Sequence, residues 1–395
     1  MSKIIEVIKN SFKSFSPLEA GIYHFQSLPE EATNYRLHLR LESDGSGILL
    51  VNASTVLHLN QTAAEYAYHI VNRTPPEEVA KQISSRYRIK PSQALSDFQD
   101  LNDRITGLMS TPDLDPVMFF GFDRQDPDTT GLSAPYRLDC ALTYRLPPGS
   151  SIDSSPTKRV DRELTTDEWK SIIDKAWQAG IPHIIFTGGE PTLRDDLVEL
   201  VQHAENNGQV TGLLTDGLKL GDTKYLNDLL QAGLDHTIII LQPEKEKTWD
   251  SLSSFAYWTE TLDEDIFIAA HLTLTKENSK DFLGLIDKLT EAGVSAISLS
   301  ANDKKLTDTL NLARDYTAGN DIDLVWDLPV PYSSLNPVSL ELEEHDDISS
   351  TQFDPGVLYI EPDGDVLPTQ GINHVLGNML SDDWKKIWDK AQPGK

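Results

Sequence analysis

The chain has 395 residues and a formal net charge of −28, from 34 lysines and arginines against 62 aspartates and glutamates. This length corresponds to two or three domains of ~150 residues, and the acidic balance excludes the basic surface that nucleic acid or anionic lipid requires. Hydrophobic residues make up 39% of the chain, which indicates a folded protein, and a single cysteine excludes both a disulfide framework and a site built on several thiolates.

The N-terminal segment, residues 3–15, carries apolar residues at near-helical spacing. It predicts a short helix that either packs on its own protein or docks on a partner or a membrane surface. Glu6, Lys9 and Lys13 interrupt the apolar stretch that a signal peptide needs. No apolar run approaches the ~20 residues that span a bilayer, so we expect a soluble, cytoplasmic protein.

Residues 1–110 are predicted to form a small α+β module. Apolar patterning indicates three strands, at Arg36–Leu41, Ile48–Val51 and Thr55–Leu59. Three helical stretches follow; Thr74 is predicted to cap the second, and the third runs from about Ser92 to Ile105. Residues 111–134 are rich in Asp, Pro and Gly and are predicted to be a linker.

From residue 135 to 328, apolar strands alternate regularly with helical stretches. The predicted strands are Tyr136–Tyr144, His183–Phe186, Val210–Leu214, His236–Leu241, Ile266–Leu274, Ala296–Leu299 and Asp323–Trp326. Strands separated by helices favour a parallel sheet with right-handed crossovers. Six or seven such units are fewer than the eight of a closed barrel, so the sequence predicts an α/β fold with an open, partial barrel.

The tail, residues 329–395, is predicted to hold a hairpin over Leu358–Val366 and a last helix over Asp382–Ala391. The acidic run Glu341–Asp347 is either a hard-cation site around His345 or a solvated face. The ten histidines show no i,i+4 pair or His-x-His spacing, so we expect no zinc or di-iron site.

The loop most informative about function follows the second strand of the predicted barrel and contains Gly188, Gly189, Glu190 and Pro191. Two glycines let the backbone approach a ligand closely and leave amide N–H groups free at a helix N-terminus. The Glu190 carboxylate is suited to receive a ligand ammonium, and ligand sites in such barrels lie at the carboxyl ends of the strands. The alternative interpretation is a purely structural strand-to-helix turn.

This loop, Gly188-Gly189-Glu190-Pro191, resembles the second-strand motif of radical S-adenosylmethionine (SAM) enzymes, whose acidic residue binds the methionyl amine of SAM. Leu142-Thr143-Tyr144-Arg145 resembles the first strand of that family. Leu214-Thr215-Asp216-Gly217 resembles its third-strand Thr-Asn-Gly, with Asp216 either a local acid or a turn residue. The resemblance implies a partial (β/α)6-type barrel and a SAM site formed by Gly188, Gly189, Glu190, Pro191, Thr215 and Asp216.

The flanking regions carry two further resemblances. Residues 360–368 are similar to the C-terminal SPASM-type extension of maturases, which implies a SPASM-like extension over residues 329–395. The N-terminal module, with Leu59-Asn60-Gln61-Thr62-Ala63 after its third strand, is similar to PqqD-like leader-peptide recognition domains. That similarity implies a winged-helix-like α+β fold that recognises a peptide.

The chain departs from the family pattern where the family holds its four-iron four-sulfur cluster. The three cluster positions correspond to Leu146, Ser150 and Asp153, and the tail's Leu-Pro-Cys becomes Leu-Pro with Thr369; the tail cysteine expected near Ser349–Thr351 is also absent. Cys140 lies inside the predicted first strand, where a small buried hydrophobe is expected. Such a cluster requires cysteine thiolates, so we expect no metal, no iron–sulfur cofactor and no radical catalysis.

Two hypotheses follow. The first is a pseudoenzyme without catalytic residues that binds a peptide or a partner protein, for which an intact radical SAM enzyme is one candidate, through strand Arg36–Leu41 and the helix from Ser92 to Ile105. The second is an enzyme that keeps SAM at the Gly188–Pro191 loop and performs non-radical chemistry. Neither hypothesis involves nucleic acid or a membrane.

Overall fold

The computed structural model describes residues 17–27, 35–52, 55–110, 132–262, 267–294, 296–320, 322–325, 329–337 and 356–392. Residue contacts divide the chain into two compact units, Met1–Asp128 and Thr129–Lys395, which are described separately. Among the described residues, no helix is both long and apolar enough to cross a membrane. The predicted helix over 3–15, the acidic run Glu341–Asp347 and Ser349–Thr351 lie outside the described residues, as does most of the predicted linker.

The first unit contains a four-stranded antiparallel sheet whose strands follow one another in chain order. Its strands are β1 (Gly21–Gln26), β2 (Arg36–Leu41), β3 (Gly47–Val51) and β4 (Thr55–Leu59). The three predicted strands are confirmed as β2, β3 and β4. Strand β1 was not predicted, because its side chains are mostly half-buried or exposed and its sequence lacks a clear apolar pattern.

Strand β2 lies in the interior of this sheet. Leu39 is paired with Tyr23 of β1 on one side and with Leu49 of β3 on the other. The interpretation of Arg36–Leu41 as a strand that accepts a peptide by pairing is therefore wrong, since both its backbone edges are already used. Within the described part of this unit, the edge strands are β1 and β4.

Three helices follow the sheet: α1 (Gln61–Val71), α2 (Pro76–Tyr87) and α3 (Pro91–Ser110). Asn60 caps α1 by accepting a hydrogen bond from the Ala63 amide at 3.0 Å. The predicted Thr74 cap of α2 is wrong: Pro75 occupies the N-cap position, and the Thr74 hydroxyl instead contacts His69 Nδ1 at 3.2 Å. Apolar residues of β2, β3 and β4 pack with residues of α1 and α3 to form the core.

The second unit contains parallel strands connected by helices. The strands are β5 (Arg137–Thr143), β6 (His183–Gly188), β7 (Val210–Thr215), β8 (His236–Ile240), β9 (Phe267–Leu274), β10 (Ala296–Ala301) and β11 (Asp323–Leu324). The helices are α4 (Thr166–Gln178), α5 (Leu197–Asn207), α6 (Thr223–Gln231), α7 (Glu246–Leu262), α8 (Phe282–Glu291) and α9 (Thr307–Gly319). Adjacent strands from β5 to β11 pair in parallel. The predicted α/β class with an open parallel sheet is confirmed.

The tail extends this sheet to ten strands. It contributes β12 (Val357–Ile360), β13 (Asp365–Leu367), β14 (Gly377–Asn378) and the helix α10 (Trp384–Ala391). The predicted hairpin is confirmed as the antiparallel pair β12–β13. Strand β12 also pairs in parallel with β5, so the tail lies beside the first strand of the partial barrel.

Candidate functional site

The loop after β6 approaches the end of β5 at backbone distance. Gly188 has φ +127°, and a Cβ there would overlap the Thr143 carbonyl oxygen; a Cβ at Gly189 would overlap that of Arg145. The Gly189 amide donates to the Thr143 carbonyl at 2.8 Å, and the Glu190 amide donates to the Arg145 carbonyl at 2.9 Å. The prediction that the loop leaves its amides free for a ligand is therefore wrong for these two, which join β6 to β5.

The Glu190 carboxylate is almost fully buried, at 3% exposed, and receives hydrogen bonds on both oxygens. Oε1 accepts from the Thr192 amide at 3.0 Å, from the Thr192 hydroxyl at 2.5 Å and from the Thr215 hydroxyl at 2.7 Å. Oε2 accepts from the Asp216 amide at 2.7 Å. Glu190 also caps the short 3₁₀ turn that begins at Pro191. The carboxylate thus holds β6, the turn and the end of β7 together.

Asp216 receives fewer N–H and hydroxyl donors than Glu190. The residue is 9% exposed. Its Oδ1 accepts from the Leu218 amide at 3.0 Å; its buried Oδ2 has no N–H or hydroxyl donor among the described residues, and the side chain hydrogen-bonds with the Glu190 carboxyl group when a proton is shared between them. Burial raises the pKa of Asp216. Burial, followed by the neighbouring Asp216 charge, raises the pKa of Glu190 to about 7. Burial therefore makes both carboxyl groups harder to ionise than a solvent-exposed carboxyl group.

These groups line an open cleft at the carboxyl ends of the strands. The lining residues are Leu146, Pro147, Ser150, Gly189, Glu190, Asp216, Ile240, Gln242, Lys245, Pro331, Tyr332, Ser333 and Ser334. The Tyr332 amide donates to the Gly188 carbonyl at 3.0 Å, which fixes the segment around Pro331 against the glycine loop. Of the six predicted cofactor-binding residues, Gly189, Glu190 and Asp216 line this cleft, and Thr215 hydrogen-bonds to Glu190 beside it.

The positions that correspond to the family's cluster ligands lie in the loop after β5. Leu146 is half-buried, and Ser150 and Asp153 are exposed. Cys140, in β5, is 1% exposed, and burial raises the pKa of its thiol well above the ordinary value. No group of three or more His, Cys, Asp or Glu side chains suited to a metal is found in the described parts of the chain. These residues do not fit an iron–sulfur cluster, which needs several accessible thiolates.

A packed aromatic cluster, which the sequence did not reveal, lies behind this loop. The Tyr144 hydroxyl donates to Glu361 Oε1 at 2.8 Å, and Arg159 lies 3.1 Å from the same carboxylate. The Tyr144 ring meets the Tyr332 ring edge-on, with centroids 5.4 Å apart. Residues from the first strand and from the tail therefore join at the base of the loop, a long-range contact that local sequence patterns do not indicate.

A second polar cluster lies on β9 and β10. His271 Nδ1 is 2.9 Å from the Ser298 hydroxyl, and Nε2 is 2.9 Å from the Ser300 hydroxyl and 3.2 Å from that of Thr273. Burial lowers the pKa of His271 to about 4, so the imidazole is neutral at pH 7. In the sequence of β9, His271 and Thr273 are two residues apart and so face the same side of the sheet. The apolar residues around them made the segment look like an ordinary buried strand, so the polar cluster was not predicted.

Two further histidines meet near the opposite ends of the strands. The Nε2 atoms of His183, at the start of β6, and His236, at the start of β8, are 3.3 Å apart. They meet across Gly212 of the intervening β7, where a Cβ would overlap the His236 ring. Burial lowers the pKa of His236 to about 4.

The parallel sheet, the glycine loop and the acidic pair at its carboxyl edge can now be compared with known proteins. Residues 140–302 match the family model of the Radical SAM superfamily. This match covers the strands that carry the cleft and confirms the radical SAM type of fold that the sequence motifs implied.

Curated relatives are similar over the same part of the chain. The PqqA peptide cyclase of Bradyrhizobium diazoefficiens is 35% identical over 159 residues, which is 37% of this chain and 41% of that protein. The PqqA peptide cyclase of Rhizobium meliloti is 31% identical over 166 residues, which is 40% of this chain and 44% of that protein. The match thus spans about two fifths of the length of these relatives.

A solved structure is similar over most of the chain. SuiB of Streptococcus suis bound to its precursor peptide SuiA superposes with a TM-score of 0.55 over 89% of this chain and 86% of SuiB, at 16% sequence identity. SuiB bound to S-adenosylmethionine has the same TM-score. At this identity the likeness shows a common fold.

Proposed function

We propose that this chain is a cluster-less protein of radical SAM fold that binds a peptide or a partner protein in peptide maturation. The observation that carries the proposal is the loop after β5: Leu146, Ser150 and Asp153 provide no thiolate, and the one cysteine is buried in the strand. Without a cluster the protein has no one-electron donor for the reductive cleavage of SAM. What it retains is a folded scaffold that is similar in sequence to PqqA peptide cyclases and in fold to SuiB, whose structure was solved with the precursor peptide SuiA.

Within this proposal the chain is organised as an N-terminal PqqD-like peptide-recognition module (1–110), a linker (111–134), a radical SAM-like partial barrel (135–328) and a SPASM-like extension (329–395). The four-stranded sheet and three helices of the first unit support the first assignment. Pairing of β12 with β5 supports treating the extension as an addition to the barrel sheet.

The peptide surface that we propose is the edge of β4 that faces away from β3. An edge strand offers backbone N–H and C=O groups that an extended peptide can pair with, and this requires no metal. In the described part of the unit, β4 pairs only with β3. The Val56 side chain on this strand is 38% exposed, which leaves an apolar contact for a peptide side chain.

Binding of fluorescently labelled peptides encoded by short reading frames beside the gene tests the proposal. We expect the wild-type chain to bind one of them, and Val56→Asp to weaken binding at least tenfold because a charge then faces the apolar contact. Val375→Asp is the matched control, since Val375 is an equally exposed valine in the second unit. Absence of binding to every peptide and to an intact radical SAM enzyme from the same genome would contradict the proposal.

A second candidate function is the binding of SAM in the cleft, followed by non-radical chemistry. The position of the Glu190 and Asp216 carboxyl groups in the cleft lining favours it, because SAM carries cationic groups that form charge-assisted hydrogen bonds with carboxylates. Calorimetry with SAM tests it: saturable binding supports this function, and no heat at millimolar ligand contradicts it without affecting the peptide proposal.

A further inference from the structure

At the amino ends of the barrel strands, β6 and β8 each begin with a histidine, and the two side chains lie on the same side of the sheet. Gly212 of the intervening β7 pairs with Ile185 on one side and with His236 on the other, and His183 precedes Ile185 by two residues. Strands two positions apart in a sheet are separated by about 10 Å. A Cβ at Gly212 would lie only 2.1 Å from His236 Nε2, so the glycine creates the gap in which the rings meet.

The separation of the two rings is the one that a single tetrahedral zinc ion requires. The Nε2 atoms of His183 and His236 are 3.3 Å apart, and the ring centroids are 5.0 Å apart. Two imidazole nitrogens, each bonded to tetrahedral zinc at about 2.0–2.1 Å, are about 3.3–3.4 Å from each other. Neighbouring ligands of a square-planar ion at that bond length are only about 2.8–3.0 Å apart. The observed distance therefore favours zinc over copper(II).

The charges around the two rings permit a cation to bind. Burial, followed by the charge of Arg137, lowers the pKa of His236 to about 4, so this ring is neutral at pH 7, as a metal ligand has to be. Arg137 lies beside His183 in the register of β5 and β6. Its guanidinium donates to both oxygens of Asp139, at 2.8 and 3.1 Å. The Asp139 carboxylate thus offsets the positive charge that would repel a cation.

The set of protein ligands at this place is two imidazoles. Both histidines are half-buried, so an ion and water can reach them. In the parts of the chain that the structure describes, no third His, Cys, Asp or Glu side chain completes a metal-binding group. The two histidines are 53 residues apart in the sequence, which is why local histidine spacing predicted no zinc site.

We propose that His183 and His236 bind one Zn²⁺ ion through their Nε2 atoms, with two oxygen ligands from solvent completing a tetrahedron. This site lies at the amino ends of the strands and is independent of the peptide and SAM functions proposed above. The ion links β6 to β8 across Gly212. Because it binds the folded chain, it should raise the temperature of unfolding.

Calorimetric titration of the untagged full chain with ZnCl₂ in excess MgCl₂ tests the proposal. The chain has 62 aspartates and glutamates, and Mg²⁺, which prefers oxygen ligands, occupies carboxylates that would bind zinc non-specifically. We expect one zinc ion per wild-type chain and at least tenfold weaker binding to His183→Gln and to His236→Gln. His374→Gln, at an exposed histidine of the same unit, is the matched control and should bind zinc as wild type does.

Two further measurements on the wild-type chain report the ligands and the geometry. X-ray absorption of the zinc-loaded protein should show scattering from two imidazoles, and Co²⁺ in place of zinc should give the intense visible absorption of a tetrahedral ion. These measurements decide the matter if circular dichroism shows that neither glutamine variant folds.

Four results would overturn the proposal: no zinc binding by wild type, a loss of affinity in only one of the two folded glutamine variants or in neither, an all-oxygen zinc shell, or the weak absorption of octahedral Co²⁺.

Discussion

The two sides of the cleft differ in how their residues are hydrogen-bonded and how exposed they are. On the side of β6 and β7, the Gly189 and Glu190 amides and both oxygens of the Glu190 carboxylate are hydrogen-bonded within the protein. On the side of β5, the loop from Leu146 to Asp153 has none of the family's thiolates, and most of its residues are exposed.

A family motif can be retained because the fold needs it or because the reaction needs it, and this difference separates the two cases. The Gly188–Glu190 segment bonds β6 to β5 and to β7, so its residues are required by the fold whether or not a ligand binds. The loop from Leu146 to Asp153 follows β5, whose pairing with β6 does not involve it. A motif whose residues hold the strands together is therefore evidence for a preserved fold before it is evidence for a preserved reaction.

The largest effect is expected where the retained side is most tightly packed. Gly188→Ala places a Cβ against the Thr143 carbonyl and requires φ +127° of a residue with a side chain. We expect destabilisation of about 3 kcal/mol or more, measured by urea unfolding. Gly319→Ala is the control, because a Cβ at Gly319 meets no atom within 4 Å. A Gly188→Ala protein as stable as the control would show that β6 does not depend on this approach.

Two buried histidines outside the cleft predict acid sensitivity. Burial lowers the pKa of His236 and of His271 to about 4, so the folded state prefers the neutral rings. Their stabilisation is complete above the ordinary pKa of about 6.5 and is lost as pH falls from there toward 4, by up to roughly 3 kcal/mol for each ring. Thermal unfolding from pH 4 to pH 7 should therefore be less pH-dependent for His271→Gln than for wild type, whereas His374→Gln, at an exposed histidine, should leave the slope unchanged.

For Glu190 we expect the pH dependence of the free energy of unfolding to have the opposite sign. Its pKa in the folded protein is about 7, above the ordinary value of about 4.3, so folding favours the protonated form. The stabilisation is complete below the ordinary value and is lost as pH rises through 7; roughly 2–3 kcal/mol of this loss falls between pH 5 and pH 8. Denaturant unfolding between pH 5 and pH 8 should show this loss in wild type and not in Glu190→Gln. An equal loss in both proteins would show that Glu190 is ionised throughout this range.

The sequence predicted the strands and helices that depend mainly on neighbouring residues. Strands β2, β3 and β4 and the alternating strands and helices of the barrel follow from apolar periodicity, and the Glu190 loop follows from its motif. What the sequence did not reveal depends on distant residues: β1 covers the edge of β2, Tyr144 meets Glu361 of the tail, and the two glycines serve the backbone of β5.

The smallest effect is expected at the one cysteine. If Cys140 is a packing residue, Cys140→Ala removes only a buried sulfur from β5 and costs about 1 kcal/mol. Anaerobic reconstitution with iron and sulfide should leave wild type and Cys140→Ala equally colourless, with no iron after desalting. Comparing wild type with Cys140→Ala distinguishes a cluster that is bound through Cys140 from iron that is bound elsewhere. A visible iron–sulfur absorption band in wild type that disappears in Cys140→Ala would mean that β5 opens to expose the thiol. In that case the β5 side of the cleft would bind a metal, through a cysteine of the strand and not through residues of the loop that follows it.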